Sequence, residues 1–149
     1  MEKIDKEIIF TNNTFNKEEI LDLFKMEEAL CKIITINGLR GTGFFCEMAN
    51  ENFPMKYCLF TVDCVLNEKH IKLNENITFE YYDGYKYIIK KIAIDGQRKV
   101  YNNSQINYTC IEMFEYDRIK KYFKIDPILL NEKNNIYLKE NDIFILQYS

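Results

Sequence analysis

The feature that constrains this chain most is the placing of its turn signals. Asn37-Gly38, Asp83-Gly84 and Asp95-Gly96 punctuate short runs rich in Ile, Val, Tyr and Phe. Asn-Gly and Asp-Gly pairs adopt positive φ at little cost, which tight turns between antiparallel strands require. The runs Cys31–Ile36, Gly43–Met48, Tyr57–Val62, Ile77–Tyr82, Tyr87–Ile94 and Tyr108–Phe114 read as six strands. Lys99-Val100-Tyr101 reads as extended structure between the fifth and sixth. The continuous apolar run of the third predicts burial on both of its sides, and Asp83-Gly84 predicts a hairpin. Short antiparallel strands with regular turns predict a small closed barrel, because closure leaves no unpaired edge. The aromatic content of 15%, all of it Tyr and Phe, agrees with strands.

The flanks read differently. Residues 1–15 are a polar lead-in with a short apolar segment at Ile8-Ile9-Phe10. A helix is expected over 17–29. Asn16 is its N-cap, Glu19 lies three residues on, and Phe15 and Ile20 form a hydrophobic staple. Ile20, Leu23 and Phe24 fall on one face, expected to pack over one end of the barrel; a partner-binding helix is the alternative. After the strands, Ile119–Phe123 reads as a short amphipathic helix, stopped by Asp126-Pro127. Asn131–Asn141 is polar, with a brief strand at Ile136-Tyr137-Leu138, and Ile143–Tyr148 is a strongly apolar strand. The chain thus divides into an N-terminal extension and helix (1–29), a barrel (30–118) and a C-terminal segment (119–149).

Composition removes several function classes. A chain of 149 residues, 47% hydrophobic and 29% charged, suits one domain with a real core. A net charge of −3 gives no basic face for nucleic acid or an anionic membrane. No apolar run approaches the roughly 18 residues needed to span a bilayer. The N-terminus lacks the pattern of a signal peptide, so the five cysteines read as reduced thiols and the location as cytoplasmic. Cys58 and Cys64 share a face by strand alternation, but no second pair of ligands completes a metal site. Gly41-Thr42-Gly43 is too short for a phosphate loop, and no cofactor is expected. His70, the one histidine, reads as a solvated loop residue. Glu112, Glu115 and Asp117 read as a solvated edge, and the tyrosines at 81, 82, 85 and 87 as packing pairs across a hairpin.

One stretch resembles a known family. Gly41-Thr42-Gly43-Phe44-Phe45, followed by Leu59-Phe60-Thr61 and Val65-Leu66, resembles the second and third strands of trypsin-like serine proteases of the chymotrypsin fold. The resemblance covers about residues 30–149. It corresponds to the first of that family's two barrels and the linker into the second, so 119–149 reads as linker and first strand of a second barrel that is absent. It implies a mostly β fold, a six-stranded antiparallel Greek-key barrel of the trypsin-like type with an N-terminal helix.

In that family the third strand ends in a Thr-x-x-His-Val-like turn whose histidine is the general base. Here the turn is Thr61-Val62-Asp63-Cys64-Val65-Leu66, with Cys64 at the histidine position. The aspartate position before the sixth strand is Asn107. The family's Gly-x-Ser-Gly nucleophile segment does not occur. A triad needs a nucleophile, a base and an orienting carboxylate. A thiol of ordinary pKa, about 8.5, is no base near neutral pH, and Asn107 carries no charge. A nucleophilic Cys64 would need His70 beside it; otherwise Cys64 reads as a small buried residue. The resemblance therefore implies no intact catalytic residue. The expected function is that of a catalytically inactive protease homologue, a pseudoprotease fragment binding a protein or peptide through an exposed apolar interdomain face. The alternative is one half of a split or truncated trypsin-like peptidase. The sequence leaves the oligomeric state open.

Overall fold

Ile77, Phe79 and Tyr81 are buried, whereas Thr78, Glu80 and Tyr82 between them are not. This two-residue period is that of a strand with one face on a core, and it recurs through the chain. The computed structural model describes residues 6–8, 17–38, 40–48, 52–72, 75–125 and 146–148. In order, these form β1 (Lys6–Ile8), α1 (Lys17–Glu27), β2 (Leu30–Ile34), β3 (Arg40–Glu47), β4 (Tyr57–Thr61), β5 (Asn76–Tyr82) and β6 (Tyr87–Ala93). There follow β7 (Val100–Asn103), β8 (Tyr108–Glu112), a 3-10 turn at Glu115–Asp117, β9 (Phe123–Lys124) and β10 (Leu146–Tyr148).

The fold is mostly β with one short helix. The main sheet runs β6-β5-β2-β3-β4-β8-β7, every neighbour antiparallel, and β9 adds a short parallel pairing to β3. The path has seven strands where the sequence predicts six, because Val100–Asn103 forms a ladder of its own with β8. The sheet curls into a half-barrel around Ile33, Phe45, Leu59, Phe79, Tyr81 and Ile111. Phe45 meets Phe79 and Tyr81 edge-on, with ring centroids 5.5 and 6.0 Å apart, the arrangement that aromatic quadrupoles favour. As expected, β4 is buried on both sides. Leu59 joins this core, whereas Cys58 joins a second cluster outside the curl with Met55 and Cys110, under Phe53, Phe60 and Tyr108.

The two end strands, β6 and β7, are successive in sequence and joined only by residues 94–99. Arg98 holds this link. Its guanidinium donates to Ala93 O at the end of β6 (3.2 Å) and to Glu112 O at the end of β8 (2.6 Å). It also grips Asp117 with two nitrogens, at 2.8 and 3.1 Å. The Asp117 carboxylate accepts from Phe114 N–H (2.6 Å), and the Arg98 guanidinium lies 4.7 Å from the Phe114 ring centre. Both charged residues are buried. Asp117 thus belongs to no solvated edge, contrary to the sequence reading. The charge pairing and the hydrogen bonds together satisfy groups that would be costly to bury alone.

Two other expectations change. The helix ends at Glu27, and Ile20 and Phe24 are exposed instead of packed on the sheet. Residues 119–123 form no helix; Phe123 begins β9. Leu146–Tyr148 pairs antiparallel with Lys6–Ile8, in a two-stranded sheet alongside β3. The Asn16 cap, Phe15 of the staple, Ile9-Phe10, the strand at 136–138 and residues 143–145 lie outside the described residues. The Asp83-Gly84 hairpin forms as predicted, with Tyr82 opposite Tyr87 and their rings 5.3 Å apart. Tyr81 is instead a core residue, and Tyr85 is exposed at the turn.

Candidate functional site

The segment that carries the protease resemblance folds as one packed unit. Gly41-Thr42-Gly43 lies inside β3, not at its start. A Cβ on Gly43 would stand 2.8 Å from Ile33 Cδ1, 2.9 Å from Leu59 Cδ1 and 3.0 Å from Cys31 Sγ. A Cβ on Gly41 would overlap the side chain of Val65. The glycines are thus required by close approach, not by unusual φ. Thr61, at the end of β4, donates its hydroxyl to Thr42 O at 2.9 Å. The turn after β4 closes on itself, with Val65 N–H and Leu66 N–H both donating to Val62 O, at 3.0 and 3.2 Å.

A polar chain anchors that turn to the β7–β8 hairpin. Asn102 Nδ2 donates to the Asp63 carboxylate (2.6 Å) and to Thr109 Oγ1 (2.8 Å), and Thr109 Oγ1 donates in turn to Leu66 O. Asp63, Asn102 and Thr109 had no signal in the sequence: an Asn in an Asn-rich chain and a Thr in a strand carry no pattern. Arg98 and Asp117 were likewise unmarked as a pair, because their link is made across the curl.

Cys64 sits in this anchored turn and is exposed. This corrects the reading of Cys64 as a small buried residue. The turn begins after Thr61, so strand alternation no longer governs position 64, and Cys58 is buried in the outer cluster instead. The two cysteines do not share a face. Among the described residues no group of three or more His, Cys, Asp or Glu is placed to hold a metal ion. His70 is half-buried. Its Nδ1 accepts from Asn67 N–H at 3.2 Å, which puts the ring proton on Nε2 and occupies the nitrogen a thiol proton would need. No hydrogen bond joins Cys64 to His70 or to Asn107.

Asn107 is exposed and has a φ of 53°. It ends the turn between β7 and β8, in which the Asn103 side chain accepts from Gln105 N–H (3.0 Å) and Ile106 N–H (3.2 Å). Asparagine is among the few residues that tolerate this left-handed backbone. It lies just before β8.

The remaining four cysteines are buried and free. Burial pushes the Cys31 thiol up, and pushes Cys46 up to about 11. A hydrogen bond donated to Cys58, and then burial, push the Cys110 thiol up. Thiols held protonated are poor nucleophiles and poor metal ligands. No described helix is long and apolar enough to cross a membrane. No protein-family model matches the chain, and no curated protein and no solved structure is similar to it at a significant level.

Proposed function

We propose that this chain is a catalytically inactive homologue of the first barrel of trypsin-like serine proteases, a pseudoprotease fragment that binds a protein or peptide. The observation that carries this reading is the joint between the two motif segments. Gly41 packs against Val65, and Thr61 is hydrogen-bonded to Thr42, so the turn bearing Cys64 is seated on the Gly-Thr-Gly strand. Cys64 stands where the family's base would be, with neither His70 nor a carboxylate bonded to it. Asn107 stands in the turn where the aspartate would be.

The strand order gives further support. If β6 and β7 are counted as one strand bent at residues 94–99, the neighbours form a cycle of six, with the fifth strand lying between the fourth and the sixth. Within it β5-β2-β3-β4 lie in the order fourth, first, second, third, which is that of a Greek key and supports a barrel of this type. Phe44 stacks on Phe60 at 5.5 Å on the outside of the sheet, and 40% of Phe44 is exposed. This partly open aromatic pair offers an apolar contact to such a partner. All five cysteines are free, in keeping with a cytoplasmic setting.

Native mass spectrometry of the protein isolated from its own cells tests the reading. The expected species is the chain alone or with a protein that lacks protease motifs. Recovery with a chain carrying a Gly-x-Ser-Gly segment would overturn it in favour of a split peptidase.

A further inference from the structure

One end of the curled sheet holds a cavity of about 440 Å³ that the protease-like reading does not use. That volume lies in the range of small-ligand pockets. Its floor is apolar, built by Ile34, Leu66 and Ile77, and its edge carries Ile36, which is 90% exposed. Its rim is cationic. Lys69, Lys72 and Lys91 line it from the loop after β4 and from β6, with Glu75 as the one carboxylate among the lining residues. This excess of positive charge stands in a chain of net charge −3. None of the three lysines has an ion-pair partner among the described residues. His70 adds a neutral donor, since Asn67 N–H occupies Nδ1 and leaves the proton on Nε2.

An apolar floor under ammonium groups that have no ion pair among the described residues is complementary to one kind of molecule. We infer that this cavity binds a small carboxylate carried on an apolar body, its body on Ile34, Leu66 and Ile77 and its carboxylate among Lys69, Lys72 and Lys91. Both parts are needed: the floor rejects a bare hydrated anion, and the rim distinguishes an acid from its neutral amide. A free organic acid and the C-terminal residue of a peptide share this chemistry. The cavity lies apart from Phe44 and Phe60, so the inference stands or falls separately from the proposed function.

The test is an NMR titration of the full-length, ¹⁵N-labelled chain. The probes are N-acetyl-leucine, acetyl-Ala-Ala-Leu with a free carboxylate, the same peptide as its C-terminal amide, and inorganic phosphate. The two acids are expected to saturate and to shift the signals of His70 and Ile77. The amide and phosphate are expected to bind at least about ten-fold more weakly, the loss of one charge-assisted contact. The K69Q/K72Q/K91Q variant, altered only at exposed side chains, should lose a similar factor while its remaining spectrum is unchanged. Tighter binding of the tripeptide than of acetyl-leucine assigns a peptide terminus; equal binding assigns a small acid. The inference is overturned if the amide or phosphate binds as well as the acids, if the triple variant retains full affinity, or if no acid saturates at millimolar concentration.

Discussion

Gly41 and Gly43 matter for what stands next to them. Overpacking of a filled site costs about 1–3 kcal/mol, so Gly41→Ala is expected to lower stability by that amount in urea unfolding. Because Val65 is the neighbour it strikes, Val65→Ala in the same chain should recover much of the loss. Gly43 meets three side chains on two strands, so no single partner rescues Gly43→Ala. Cys64 gives a second expectation at this scale. As the one exposed thiol of five, it should react alone with a thiol reagent in the native state, and Cys64→Ser should abolish that fast phase. Rapid labelling of two or more thiols would contradict the packing described. The Gly-Thr-Gly pattern was legible because close backbone approach leaves glycine in the sequence. The exposure of Cys64 was not, since a strand ending at Thr61 and one running to Val62 and beyond read alike.

Among the elements, the link between β6 and β7 joins the two ends of the sheet. Arg98 ties three carbonyl or carboxylate partners from separate segments. Arg98→Met leaves Asp117 buried without its counter-charge, a loss of about 3–5 kcal/mol. Replacing both, as R98M/D117L, removes the stranded charge and should restore a large part of that stability, read from the urea midpoint. If R98M alone unfolds at the wild-type midpoint, the pair is not holding the link. Strands were the legible elements, because alternation in Ile77–Tyr82 and the Asp83-Gly84 turn are local signals. Their ends moved by a few residues, as with β3, which begins at Arg40. Helices were less legible. The face of Ile20 and Phe24 has helical spacing, but spacing cannot say whether a partner surface exists, and here the side chains remain exposed. The run Ile119–Phe123 has the same spacing, yet Ile119 is drawn into the core and Phe123 onto β3. Tertiary contacts outweigh weak propensity in so short a segment.

For the whole molecule, the curled sheet is a scaffold that presents a turn and a hairpin side by side. In this chain those two loops carry Cys64 and Asn107 and are tied together through Asp63, Asn102 and Thr109. The turn of Cys64 is held in place with no histidine or carboxylate hydrogen-bonded to the thiol, and the proposed lack of catalytic activity rests on this. Its most direct test is hydrolysis of a broad fluorogenic peptide library by the purified full-length chain at neutral pH, with Cys64→Ala in parallel. No cleavage above buffer is expected for either protein. Turnover by the unmodified chain that disappears in Cys64→Ala would contradict it, and would make Cys64 a nucleophile.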